Sequence, residues 1–518
     1  MSKLNEYRGA KQPLPSKYDA WQIFGAGFEN VGKDGKPVTL QLREPHDNEI
    51  LLRVDVLGLC LSDIKIINQG SAHARLRGRD LSKEPTVLGH ECAATVVRIG
   101  KNWASKFKVG ERFIVQADIY NGVVEQDEGN NATVAESSTA IPAQLTLQVP
   151  VTRLAEKMSY NLGERMAFLP GGSTLIVRGE GSGAWEKLDP GAKIVSADLA
   201  GLEDGQTFDD IVVTGPTPEI VAALASRLRK NGVMWLVGRE KSKGPVSIDV
   251  GRIHYEGFRF YGGGSSPEEI RRANERGDLL PGGKAIFFGA GGPMGQMHVQ
   301  RSIEIANGPS RVVVTDLDRG RLDHIENRFS ALAKAKGVEL ITLAPSQFES
   351  QQAMDAKVRG LAPNGYDDLV ILAPVAKLVP GVVALAADNA VVNVFAGLVI
   401  GSMADLRLED LCRGIKLIGS SGSRISDLRK VLAMVEGGEL NTNLSVAAIG
   451  GLNSAREGLE GVSKARFPGK TVIYTQIPDL PLMALEDIPA KLPELKDKLD
   501  PSGAWTKEAE EALLEKYA

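Results

Sequence analysis

The sequence predicts an α/β plus β chain: a β-rich domain leading into a doubly wound parallel sheet whose building unit is duplicated. Three observations carry this. Residues 20–150 read as short apolar strands broken by turns such as Gly32-Lys33-Asp34-Gly35-Lys36-Pro37, the texture of a β domain. From residue 172 onward, apolar strands alternate with helical stretches, the signature of parallel strands joined by helical crossovers. That second texture also runs through twice. Phe208-Asp209-Asp210-Ile211-Val212-Val213 matches Tyr366-Asp367-Asp368-Leu369-Val370-Ile371 158 positions later, and the segment 257–262 matches 414–419 at an offset of 157. A fixed offset at two separated points marks a repeat.

The β domain offers strand-like runs at 51–56, 93–100 and 109–115. The first α/β set has runs at 174–177, 193–195, 210–213, 233–238 and 258–262, and the second at 284–288, 311–315, 338–341, 368–371, 391–395 and 415–419. The stretch 118–145 is polar, with Asn121-Gly122 and Gly129-Asn130-Asn131, and reads as a surface excursion or as disorder. Domain boundaries follow at 1–170, 171–278, 279–430 and 431–518. A last helix starts after the cap Thr506, for packing or for a subunit contact.

Composition narrows the class. A chain of 518 residues calls for two or three domains, and 43% apolar with 24% charged residues is the balance of a soluble globular protein. A net charge of −4 gives nucleic acid or an anionic membrane nothing to bind. No apolar run reaches the ~20 residues that span a bilayer, and the polar start is no secretory signal. Three scattered cysteines, Cys60, Cys92 and Cys412, build no disulfide framework, so the chain reads as cytoplasmic.

The most chemical segment is Gly58-Leu59-Cys60-Leu61-Ser62-Asp63, with Gly89-His90-Glu91 placing its histidine 30 positions after the cysteine. Alone, Cys60 reads as a buried thiol and His90 as an ordinary imidazole. Together, flanked by strand runs, they read as two of the three protein ligands of a catalytic zinc, whose fourth position stays open for substrate. Ser62 would relay the proton of the substrate alcohol. Glu91 would bind the metal or lie just behind it as an orienting carboxylate.

A phosphate-binding turn sits only in the second α/β set: Phe288-Gly289-Ala290-Gly291-Gly292-Pro293-Met294-Gly295 follows a strand and enters a helix. The preferred frame runs Ala290, Gly291, Gly292, Pro293, Met294, Gly295, with Gly292 admitting the pyrophosphate and Gly295 allowing close helix packing. Asp316 stands 21 positions beyond Gly295, where a carboxylate holds the adenosine ribose and favours NAD over NADP. Arg319 or Arg321 would soften that preference, and a strand-end turn or helix cap is the plainer role for Asp316. The first set runs into Arg178-Gly179-Glu180-Gly181-Ser182-Gly183, which lacks the spacing and reads as a degenerate unit kept for packing.

Residues 50–115 resemble the GroES-like catalytic domain of the zinc-dependent medium-chain dehydrogenases in strand order, Cys-x-Ser-Asp turn and Gly-His-Glu turn. The order of a GroES-like domain, a Rossmann sheet and a closing segment at 446–475 resembles the sugar and polyol branch of that family. The run Pro281-Gly282-Gly283 through Met297-His298-Val299-Gln300-Arg301 is most similar to the branch that contains L-sorbose-1-phosphate reductase. The resemblance implies hydride transfer with NAD or NADP between a secondary alcohol of a sugar, polyol or their phosphate and the ketone, with zinc as Lewis acid, in a dimer or tetramer. It implies one zinc, since relatives hold a structural zinc with four clustered cysteines. It also implies a glutamate ligand from a Glu-Pro segment, for which Leu154-Ala155-Glu156-Lys157 is the nearest match, with lysine in the proline position. Glu156, Glu91, Glu164 or water would then complete the sphere. Arg75, Arg77 and Arg79 invite a substrate phosphate or form a solvated loop. Two rivals keep the fold: a sugar lyase or epimerase that oxidises transiently and recycles NAD, and a non-catalytic nucleotide-binding protein.

Overall fold

The computed structural model describes residues 2–73, 76, 79–114, 168–169, 171–179, 182–238, 243–264, 279–419 and 425–518, the side chains of 425–430 excepted. Arg75, Arg77, Glu156, Glu164, Glu180 and the polar stretch 118–145 lie outside them. The chain forms two compact units, Met1–Arg153 with Ser423–Ala518, and Leu154–Gly422. The division differs from the four segments suggested by sequence, because the two α/β sets share one hydrogen-bonded sheet and so belong to one unit.

In the first unit six strands run in the order Met483–Ala484, Val446–Gly451, Lys470–Tyr474, Ile50–Gly58, Cys92–Ile99, Arg112–Ile114. The closing segment thus joins the N-terminal sheet, with Val472 opposite Gly58 and Tyr474 opposite Val56. One face buries Leu52, Val54, Leu57 and Leu59 against Ile64, Ile67 and Ile473, each side chain contributing about 1.5–3 kcal/mol. The helix Leu61–Gln69 lies on the crossover helix Ala455–Ser463, so the end of the chain packs beneath the site. The other face carries Val56, Tyr474, Trp505 and Leu513. There the helix Lys507–Tyr517 docks on its own unit, capped by Thr506 Oγ1, which accepts the Ala509 N–H at 3.0 Å.

The second unit holds an eleven-stranded sheet in the order Glu339–Leu343, Arg311–Thr315, Lys284–Phe288, Tyr366–Ile371, Ala386–Val394, Lys416–Ile418, Arg259–Gly262, Leu228–Val237, Phe208–Thr214, Thr174–Val177, Lys193–Val195. Each half is parallel, and the halves meet antiparallel where Phe260 pairs with Leu417 and Tyr261 with Lys416. Strands buried on both faces read as unbroken apolar runs, as in Val312-Val313-Val314, all fully buried. At the seam only glycine fits: a Cβ on Gly262 would collide with the Leu411 carbonyl. Among the described residues no helix is long and apolar enough to cross a membrane.

Candidate active site

Antiparallel pairing sets Leu57 opposite Cys92, so the turn that leaves one strand and the turn that enters the other must touch. The Gly58 N–H donates to the Glu91 carbonyl at 3.2 Å. Cys60 then caps the helix Leu61–Gln69 in an extended conformation, φ −127° and ψ 149°. Its N–H donates to Asp63 Oδ2 at 3.2 Å, while Asp63 Oδ1 accepts the Gly89 N–H at 3.0 Å and lies 3.0 Å from His90 Nδ1. One buried carboxylate therefore braces both turns. Gly89 has φ +95°, a conformation that only glycine adopts cheaply.

Cys60, His90 and Glu91 each bring one donor atom to within 4.8 Å of the others. Ser62 Oγ stands 3.0 Å from Cys60 Sγ and 2.7 Å from His90 Nε2. Asp63 holds the proton on Nδ1, which turns Nε2 toward the sulfur. Burial pushes the Cys60 thiol up and Glu91 adds to this, but Lys470 and His90 outweigh them and the thiol titrates below its usual range. Burial likewise opposes a charged His90, yet Asp63 and the Cys60 sulfur hold the imidazole well above its usual value. Burial also opposes a charged Asp63, and the imidazole and two amides overcome it. The Ser62 hydroxyl donates to the Cys60 sulfur and stands within hydrogen-bond reach of His90 Nε2. Thiolate, imidazole and carboxylate are the donors zinc binds, with a fourth position left over. An ion there replaces the Nε2 proton, so uptake releases protons and weakens in acid.

Two residues of this site escaped the sequence reading. Asp63 had a signal, an acidic side chain three positions past the helix cap, as in a capping box. Lys470 had none. Its Nζ pairs with Glu91 Oε2, both residues being buried, and the next carbonyl, Thr471, accepts the Leu59 N–H at 2.9 Å. Only the sheet topology brings it there. Arg79 pairs loosely with Glu84 at 3.9 Å, as a solvated loop residue does.

In the second unit the strand Lys284–Phe288 enters the helix Pro293–Glu304 through Gly289-Ala290-Gly291-Gly292. Two glycines carry the tight geometry of the turn. Gly289, at φ +72°, makes the sharp turn, and Gly295 is the packing glycine, since a Cβ there would strike the Ala290 backbone. The run is one residue longer than a G-x-G-x-x-G turn. Gly292 caps the helix with open space where a Cβ would sit, Pro293 occupies its first turn without wasting a donor, and Met294 follows half-buried. Asp316 follows the strand Arg311–Thr315. Its Oδ2 accepts the Gly291 N–H at 2.7 Å, and its Oδ1 accepts the Asp318 N–H at 3.0 Å. Arg319 is engaged by Asp323, Glu326 and Thr342, and Arg321 pairs with Asp318 at 3.5 Å.

Residues 46–149 match the alcohol dehydrogenase GroES-like domain. Over that stretch the chain is similar to alcohol dehydrogenases. Its similarity to three curated relatives runs nearly end to end. It is 25% identical to the mannitol-1-phosphate 5-dehydrogenase of Aliivibrio fischeri, over 94% of this chain and 96% of that one. It is 24% identical to the L-sorbose 1-phosphate reductase of Klebsiella pneumoniae, over 93% and 95%. The uncharacterized protein YggP of Escherichia coli is also 24% identical, over 94% and 95%. The cysteine and histidine turns both lie inside the matched GroES-like domain, and the glycine turn lies outside it.

Proposed function

We propose that this alcohol dehydrogenase-like chain is an oxidoreductase that interconverts a secondary alcohol of a sugar, a polyol or one of their phosphates with its ketone, using a nicotinamide dinucleotide and one zinc ion. The cluster of Cys60, His90 and Glu91 within 4.8 Å, bridged by Ser62, carries this reading. Full-length relatives that are named as a sugar-phosphate dehydrogenase and a reductase support it and favour net redox over a recycled cofactor.

Zinc held on those donors would supply a Lewis acid that lets an alcohol lose its proton near neutral pH, and a bound nicotinamide would supply hydride chemistry. The chain's own residues do the rest. Ser62 accepts the proton that leaves the substrate hydroxyl and passes it outward. Asp63 fixes the imidazole tautomer, as such carboxylates do behind ligating histidines. The free N–H groups at the start of the helix Pro293–Glu304 receive the pyrophosphate, and the remaining lone pairs of Asp316 accept the ribose hydroxyls.

Incubating the purified chain with sorbitol, mannitol and their phosphates, with NAD or NADP, should accumulate reduced nicotinamide, and elemental analysis should find one zinc per chain. Product formed without reduced nicotinamide, or protein without stoichiometric zinc, contradicts the reading. In the same assay Asp316→Asn should lower the preference for NAD over NADP by roughly 10- to 100-fold, the worth of a charge-assisted hydrogen bond.

Lys470 gives a second check. Removing the cation from beside a buried carboxylate costs about 3–5 kcal/mol, so Lys470→Met should melt well below the wild type in the presence of a chelator. The same change removes a positive charge that repels an incoming zinc ion and competes for Glu91. Zinc affinity should therefore rise about tenfold while stability without zinc falls, and Lys470→Arg should restore both. A joint fall in affinity and stability would assign Lys470 a purely structural part.

A further inference from the structure

We propose that residues 168–264 are an internal second copy of the dinucleotide-binding fold, retained as the permanent sheet partner of the first and stripped of the elements that hold a cofactor. The cofactor clause rests on the reading above; the partnership stands on the sheet itself.

The same local devices recur in both halves. Leu169-Pro170-Gly171-Gly172 precedes the first strand of one and Leu280-Pro281-Gly282-Gly283 that of the other, and Gly171 and Gly282 share φ +70°. The Leu169 N–H donates to Asp210 Oδ2 at 2.9 Å, and the Leu280 N–H to Asp368 Oδ2 at 2.9 Å. The Ser173 N–H donates to Asp209 Oδ2 at 2.8 Å, and the Lys284 N–H to Asp367 Oδ2 at 2.8 Å. Both halves break register at the same place, between Phe208 and Asp210 and between Tyr366 and Asp368. Asn231 at φ 64° and Asn389 at φ 62° stand 158 positions apart. Each crowds one glycine of the matching pair, Gly257 and Gly414. Apolar strands shared by any two nucleotide-binding sheets do not produce equal hydrogen bonds to equivalent carboxylates.

The seam shows how the halves relate. Phe260 pairs with Leu417, and these two are themselves equivalents at the repeat offset of 157. Equivalent positions face each other only across a two-fold axis, the mark of an isologous interface between like subunits. A second antiparallel pair, Pro245–Asp249 with Met403–Arg407, is centred on the same relation. The interface that two copies would form is built here within one chain, and it covers the edge of the strand Lys416–Ile418.

The losses fall in one place. Ser173 and Phe208 lie 35 positions apart, whereas their counterparts Lys284 and Tyr366 lie 82 apart. The second half uses that length for the helices Pro293–Glu304 and Arg319–Lys336, the strand Glu339–Leu343 and the helix Gln351–Leu361. Among the described residues, the first half has there only the five-residue helix Ser182–Glu186 and the strand Lys193–Val195. Trp185 fills the position behind that short helix, fully buried with its ring 5.6 Å from Trp235 and 5.9 Å from Phe168.

Two measurements on the full chain test this. Calorimetric titration with NAD should give one site per chain, and in Gly295→Val that site should weaken by roughly a hundredfold with no site of wild-type affinity left. Two sites in the wild type, or a site of unchanged affinity in the variant, would overturn the stripped-copy assignment. Hydrogen exchange at two protein concentrations tenfold apart should show the amides of Arg259–Gly262 and Lys416–Ile418 equally slow at both, about 100-fold slower than the edge strand Lys193–Val195. Protection that appears only at the higher concentration would mean that a second chain, not the internal copy, covers the edge, and the proposal would fall. Absence of any NAD binding with a protected seam would sink the cofactor reading and support the partnership.

Discussion

Cys60→Ala should leave the fold intact and remove both zinc and turnover. The side chain contributes nothing to the helix cap, because the hydrogen bond to Asp63 comes from the Cys60 backbone. The thiol itself is only half-buried. What disappears is the one soft anionic donor of the set, and without it His90 and Glu91 hold a divalent ion poorly. Lewis-acid stabilisation is worth several kcal/mol, so kcat/KM should fall about a thousandfold or more, which corresponds to about 4 kcal/mol. Elemental analysis should find the variant empty of zinc, and a melting curve recorded with chelator should coincide with that of the wild type. Full turnover in the variant would remove the metal from the mechanism.

Gly295→Val is the second large effect, and it acts through packing. A Cβ at that position has no room because the Ala290 backbone lies against the helix, and backbone cannot rotate away as a side chain can. Either the helix Pro293–Glu304 moves off its strand or the turn opens. Overpacking of this kind costs about 1–3 kcal/mol or more. Displacing the turn by an ångström should weaken dinucleotide binding by roughly a hundredfold. Gly292→Ala is the matched control. A methyl there meets nothing within 4 Å, so the melting temperature should hold while affinity for NAD drops, because the methyl enters the space a pyrophosphate uses.

Much of this was legible in the chain, for identifiable reasons. Doubly buried strands such as Arg311–Thr315 announce themselves as valine runs, and the glycine turn stands between such a strand and a helix. Strand starts were harder to read. Leu228–Val237 begins before its apolar run, because Arg229, Lys230 and Asn231 are polar and Asn231 takes a left-handed conformation. The matching later strands share one offset, but Leu-Pro-Gly-Gly recurs at an offset of 111, not 157, so a single fixed offset does not reveal it. Cys60, Ser62 and His90 could be grouped because a hairpin-like pair of strands keeps them close in sequence. Lys470 could not, since no local pattern marks a lysine that meets its partner only through sheet topology. Glu156 lies outside the described residues, and Glu91 is the carboxylate found beside the other two donors.

The interleaving of the first unit also sets a schedule for biosynthesis. Cys60 and His90 leave the ribosome early, but the strand that braces them ends at Tyr474, about 400 residues later. At about 5–20 residues per second, a reactive thiol waits roughly 20–80 seconds with its shelter untranslated. A nascent chain arrested before its final strands would lack both the Lys470 partner of Glu91 and the Thr471 carbonyl that holds Leu59 beside the cysteine turn.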